Sequence, residues 1–133
     1  MPPRRRPTRN RHGAEGSVWR RIVKAAVARD YGICHICGHY GANSADHLIS
    51  VAERPDLATV FSNLAAAHSY SAVSPGGCPV CSPAAIARGG KPVYCNEIRQ
   101  ALSVERARRI IETRTGLTLG KTEGKPRGER SWD

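Results

Sequence analysis

Bulky apolar residues are scarce in this chain. Its 133 residues include one Phe and one Met, and aromatics make up 5% of the total. The apolar residues that remain are mostly Ala, Val and Ile. A core built from them is thin, and small domains with thin cores are usually held by disulfides or a structural metal. No apolar run approaches the length of a membrane span. No apolar stretch of the kind that marks a secretory signal follows the charged N-terminus. The expectation is a cytoplasmic protein with no membrane partner. Acid is scarce as well: 21 Lys and Arg face 11 Asp and Glu, for a net charge of +10, and no acid precedes Glu15. Such an excess favours phosphate-rich partners through counterion release. Solvated basic tails account for it equally well, so charge alone does not choose between the two.

What the chain does have is five cysteines, four of them in two C-x-x-C pairs. In a cytosolic setting such pairs bind zinc or do redox work. The redox motif expects a strand before it and a helix after it, whereas here a helical pattern precedes the first pair. We therefore expect Cys34, Cys37, Cys78 and Cys81 to hold one structural Zn2+ in a tetrahedral set of thiolates. His68 and Cys95 could take the places of Cys78 and Cys81, since both lie near the same elements. Gly38 follows the second cysteine and allows the turn that aims backbone amides at the thiolates. His35 and His39, which flank the first pair, read as exposed polar loop residues.

Residues 1–14, rich in Arg and Pro, read as a disordered basic arm, and residues 117–133 as a flexible tail. Between them, residues 15–116 form the expected domain. Apolar residues recur at helical spacing from Ser17 to Asp30, with Trp19 as a core anchor. Residues 45–51 suit one strand of a hairpin. Residues 53–61 read as a loop with one helical turn, and residues 69–77 and 82–92 as further loops. Cys95-Asn96 then opens a helical stretch that runs to about residue 102. The clearest helix starts at its cap Ser103 and ends at Gly116.

The dipeptide Asp46-His47 lies between the cysteine pairs. A neutral histidine suits proton abstraction from water near pH 7, and a carboxylate with an amide oxygen suits a hard cation. Alone, such a dipeptide is most often a surface pair. Its context is the ordered series Cys34-x-x-Cys37, Ala45-Asp46-His47-Leu48-Ile49, Asn63-Leu64 with His68, and Cys95-Asn96 before a basic helix.

This ordered set resembles the HNH endonucleases, and more narrowly their small phage-borne and actinobacterial members, over roughly residues 16–116. The resemblance implies a small α+β domain of the ββα-metal (His-Me finger) type, framed by zinc knuckles. It implies a nuclease or nickase that hydrolyses DNA phosphodiester bonds. His47 matches the general base, Asp46 a ligand of the catalytic cation, and Asn63 the residue that pins the hairpin loop and orients the histidine. Asn96 stands where the last His of the motif is usual, which makes this an H-N-N variant and favours Mg2+ or Mn2+. Double-stranded DNA is the implied substrate, with Arg99, Arg106 and Arg109 as candidate backbone contacts; a solvated helix face explains these arginines equally well. The likeness to phage-borne members also suggests a place beside the subunits of a DNA-packaging terminase, in the cytoplasm of a bacterial host. The competing reading is a zinc-knuckle protein that binds nucleic acid without cutting it.

Overall fold

The computed structural model describes residues 16–120. The expected arm at 1–14 and the tail beyond residue 120 lie outside the described residues. The chain forms helix α1 (Gly16–Arg29), strands β1 (Ser44–His47) and β2 (Leu64–Ala67), and helices α2 (Cys81–Ala87), α3 (Cys95–Arg99) and α4 (Val104–Thr115). This is a small α+β fold around one two-stranded antiparallel sheet.

Helix α1 forms where Trp19, Ile22, Val23 and Ala26 fall on one side. Trp19 and Ala26 are buried against Ala45 and Leu64 of the hairpin, with Val18, Ile22 and Val23 packed beside them. At its C-terminus Arg29 donates to the carbonyls of Phe61 (2.8 Å) and Leu64 (2.6 Å) and pairs with Asp30. The buried Asp30 carboxylate in turn accepts the Ala66 amide at 2.9 Å. The helix end is thus tied to β2 by charge-assisted hydrogen bonds, which are stronger than neutral ones.

Strands β1 and β2 pair in the register Ser44–Ala67, Ala45–Ala66, Asp46–Ala65 and His47–Leu64. All four residues of β2, Leu-Ala-Ala-Ala, are buried. Small side chains let elements approach this strand from both faces: α1 packs on one side and a cysteine-rich core on the other. That second core brings together Cys34, Ile36, Cys37, Cys78, Cys81 and Cys95, with Val93, two residues before α3, and Ala107 and Ile111 of α4 closing it.

Ser103 caps α4, accepting the Arg106 amide at 3.2 Å, and Gly116 ends it at φ 73°. Three expectations need correction. Residues 82–92 are not all loop, because α2 occupies Cys81–Ala87. Pro83 is tolerated in its first turn, where no amide is needed, and three alanines favour helix. The helical stretch that Cys95-Asn96 opens, expected to run to about residue 102, ends at Arg99. It stops because Gln100 leaves the helical region and Ala101 adopts φ 63°. Residues 117–120 of the expected tail belong to the packed fold. Leu119 is buried in the cysteine-rich core, and its amide donates to Glu112 at 2.9 Å.

Candidate functional site

The first C-x-x-C pair sits on a tight turn. The Gly38 amide donates to the Cys34 carbonyl and the Cys34 amide to the His39 carbonyl, both at 2.9 Å, and Gly38 takes φ 81°. The His35 amide donates to Ala66, which fixes the turn on β2. The second pair is clipped to residue 93. The Cys78 amide donates to the Val93 carbonyl (2.9 Å), and the Val93 amide to the buried Ser82 hydroxyl (2.8 Å). Gly77 is required here: at φ 69°, a Cβ would lie 2.4 Å from the Val93 carbonyl oxygen. The Cys81 amide faces the Cys78 sulfur at 3.2 Å, a donor aimed at a thiolate.

These turns bring seven side chains into two groups. Cys34, Cys37, His68 and Cys95 form one, and Cys37, His39, Cys78 and Cys81 the other; within each group the ligand atoms lie within 4.8 Å of one another. Either group can hold a metal ion. The expected four-cysteine set is therefore divided: Cys34 falls in the first group, while Cys78 and Cys81 fall in the second. His68 and Cys95 do not displace the second cysteine pair but complete a group of their own. His39, expected to be an exposed loop residue, joins the second group, with Nδ1 3.4 Å from the Cys81 sulfur. The spacing Cys34-x-x-Cys37-x-His39 was the signal available for it.

The ionisation of the cluster follows from its crowding. Burial opposes charge on Cys34, but contacts with Cys37, Cys95 and His68 outweigh it and hold the thiol well below its ordinary value. Contacts with Cys37 and its own partner hold Cys78 low, and Cys37 does the same for Cys81. Cys37 and Cys95 are pushed up, first of all by Cys34. Burial works against charge on His68 as well, yet the sulfurs of Cys34 and Cys78 push its imidazole up to about 10. Buried thiolates need positive charge beside them, which a metal ion supplies.

Asp46 and His47 point to opposite faces of β1, as neighbours on a strand must. Asp46 is buried, and its Oδ2 meets His35 Nε2 at 2.8 Å and Arg99 Nε at 3.2 Å. The Arg99 contact is a charge pairing rather than an aligned hydrogen bond, because Nε has no hydrogen-bond partner. The same side chain donates through Nη2 to the Leu48 carbonyl at 3.3 Å. Arg99 is thus half-buried against the Asp46-His47 strand rather than displayed on the surface. His35, also read as an exposed loop residue, is instead half-buried as the partner of Asp46.

On the other face, the His47 ring stacks on Trp19, with centroids 5.2 Å apart and planes 15° from parallel. Its Nε2 lies 2.8 Å from the Ala58 carbonyl oxygen. A carbonyl only accepts, so Nε2 carries the hydrogen and, in the neutral ring, Nδ1 keeps its lone pair. The loop carrying Ala58 is braced by Asn63. Its Oδ1 accepts the Ile49 amide at 2.8 Å, while Nδ2 donates to Ile49 (3.0 Å) and Leu57 (3.2 Å) carbonyls.

Asn96 opens α3. Its backbone amide donates to the His68 carbonyl and its Nδ2 to the Ser69 hydroxyl, both at 2.9 Å. Its Oδ1 is buried with no hydrogen-bond partner. No hydrogen bond among the described residues joins Asn96 to Asp46. Arg106 and Arg109 are exposed on α4, beside Leu102 and Ile110.

Compared with protein-family models, curated proteins and solved structures, the chain matches none.

Proposed function

We propose that this protein is a metal-dependent DNA endonuclease of ββα-metal type whose frame is held by Zn2+ in the cysteine–histidine groups. The observation that carries the reading is the state of His47. A ring locked by a carbonyl at Nε2 and by an indole along its face keeps, in its neutral form, the Nδ1 lone pair free at a half-buried site, which is the arrangement a general base requires. In the proposed reaction Nδ1 takes a proton from the attacking water. Asn63 is a positioning residue: it holds Leu57, whose neighbour Ala58 orients the histidine.

Asp46 and Asn96 are the proposed ligands of a hard cation. Asn96 Oδ1 is an oxygen donor buried without a partner, and both polar contacts of Asp46 fall on Oδ2. When bound, Mg2+ or Mn2+ supplies charge stabilisation at the phosphoryl group and the departing 3′ oxygen. The exposed Arg106 and Arg109 are proposed to hold the backbone of double-stranded DNA. A role beside a phage terminase in a bacterial cytoplasm is proposed on the likeness to phage-borne nucleases.

One observation favours a second reading, a zinc-stapled module that binds nucleic acid without cutting it. Arg99 already places a positive charge on the Asp46 carboxylate. The deciding experiment incubates supercoiled plasmid with the zinc-loaded full chain and Mg2+ or Mn2+, beside His47→Ala. Nicked or linear DNA made by the wild type and not by the variant is expected. No cleavage, or equal cleavage by both, overturns the nuclease reading.

A further inference from the structure

We infer that the two cysteine–histidine groups fill at the same time, making a two-metal cluster in which the Cys37 sulfur bridges both ions. The inference rests on reading these groups as zinc sites and goes beyond it in stoichiometry and connectivity.

Distances support both halves. Tetrahedral Zn2+ with bonds of about 2.3 Å to sulfur and about 2.0 Å to nitrogen sets its ligands about 3.8 Å apart for S···S and about 3.5 Å for S···N. In the first group, His68 Nδ1 lies 3.5 Å from the sulfurs of both Cys37 and Cys95. In the second, Cys37 and Cys78 sulfurs are 3.8 Å apart, and His39 Nδ1 is 3.7 Å from Cys78 and 3.4 Å from Cys81. These five separations match the edges of a coordination tetrahedron, the remaining ligand atoms of each group lie within 4.8 Å, and Cys37 is a vertex of both groups.

Charge and orientation point the same way. Five cysteines are buried here with no disulfide among them. As thiolates, they leave three negative charges uncompensated beside one divalent ion and only one beside two, and buried charge without compensation is costly. His68 is preset as a ligand: Nε2 donates to the Tyr40 carbonyl at 2.8 Å, which directs Nδ1 to the sulfurs. Gly41 keeps the neighbouring turn open, since at φ 87° a Cβ there would press on Pro79 at 3.0 Å.

The test counts metal and then asks whether the ions share a ligand. Elemental analysis and native mass spectrometry of the zinc-loaded full chain should give two ions per chain. The double variant Cys78→Ser/Cys81→Ser should give one, with the far-ultraviolet circular dichroism largely kept. The chain loaded with 113Cd should show two cadmium resonances that split one another through the shared sulfur. One ion per wild-type chain overturns the inference and leaves the zinc reading standing; no bound ion overturns both. Two resonances without mutual splitting overturn the bridge.

Discussion

The imidazole of His47 donates from Nε2 to the carbonyl of Ala58, eleven residues along the chain and 2.8 Å away. This contact joins the start of the long hairpin loop to its middle and fixes which ring nitrogen is free. In the proposed nuclease, His47→Ala should lower the cleavage rate by about 100- to 10,000-fold, the usual contribution of a general base. Plasmid nicking under single-turnover conditions measures this, and an unchanged circular dichroism spectrum separates lost chemistry from lost fold.

Asn63→Ala should act through the loop instead. It leaves the Ile49 amide and two carbonyls without their partners, at a cost of about 0.5–1.5 kcal/mol for each part-buried hydrogen bond lost. A lower melting temperature is expected together with slower cleavage. Full activity at an unchanged melting temperature would remove Asn63 from the positioning role.

Chelation should unfold the domain. Structural zinc contributes about 10–16 kcal/mol of apparent binding energy, whereas whole domains are stable by only about 5–15 kcal/mol. With few large apolar side chains in reserve, the loss of metal exceeds what the remaining core can hold. Circular dichroism after dialysis against a strong chelator checks this, and a folded metal-free chain would contradict it.

Acid should have the same effect. The thiols of Cys34, Cys78 and Cys81 lie below their ordinary value in the fold. The stability they contribute is therefore full above about pH 8.5 and is lost as pH falls through the lowered values. His68 runs the opposite way. Raised to about 10, it favours the fold most below about pH 6.5 in the metal-free chain and loses that effect as pH rises through 10. Metal binding replaces its proton and keeps the sulfurs deprotonated, so protons compete with the metal. Metal content measured after dialysis at descending pH should fall, along with the folded signal.

If the proposed DNA contacts hold, Arg106→Glu and Arg109→Glu should weaken DNA binding with little sequence dependence. Each lost phosphate contact should reduce the slope of log affinity against log salt by about one. Arg99→Ala should behave differently, because its guanidinium is held at Asp46 and Leu48. Fluorescence anisotropy across a salt series distinguishes the two classes.

Helices α1 and α4 were legible because their signals are local: an apolar stripe, the Ser103 cap and the left-handed Gly116. The first hairpin strand was legible only in part: composition placed it at 45–51, whereas β1 is Ser44–His47 and residues 48–51 turn into the loop; β2 itself, an Ala run, carries no alternation. Helix α2 was hidden because seven residues are too few to display a period, and because Ser82-Pro83 and Gly89-Gly90 read as loop. The metal groups were half legible. Two C-x-x-C pairs announce metal binding, but linear order says nothing about which pairs converge, and a cysteine shared between groups has no signature of its own. Asp46 with His35 and His47 with Trp19 are likewise contacts between distant segments, set by how α1 and the first cysteine turn pack on the sheet.

The chain leaves the sheet at His68 and comes back at Cys95, and these two residues belong to the same metal group, with the Asn96 amide on the His68 carbonyl. The intervening segment therefore departs from and returns to a single point, like a side loop spliced into a closed circuit. Changing its length alters closure entropy by only about 0.6 kcal/mol per doubling. The exposed residues 72–76 within it are thus a natural port for grafting, where foreign sequence can be carried without stretching the Asp46-His47 hairpin, while Cys78, Cys81, Ala85 and Val93 keep their places in the core.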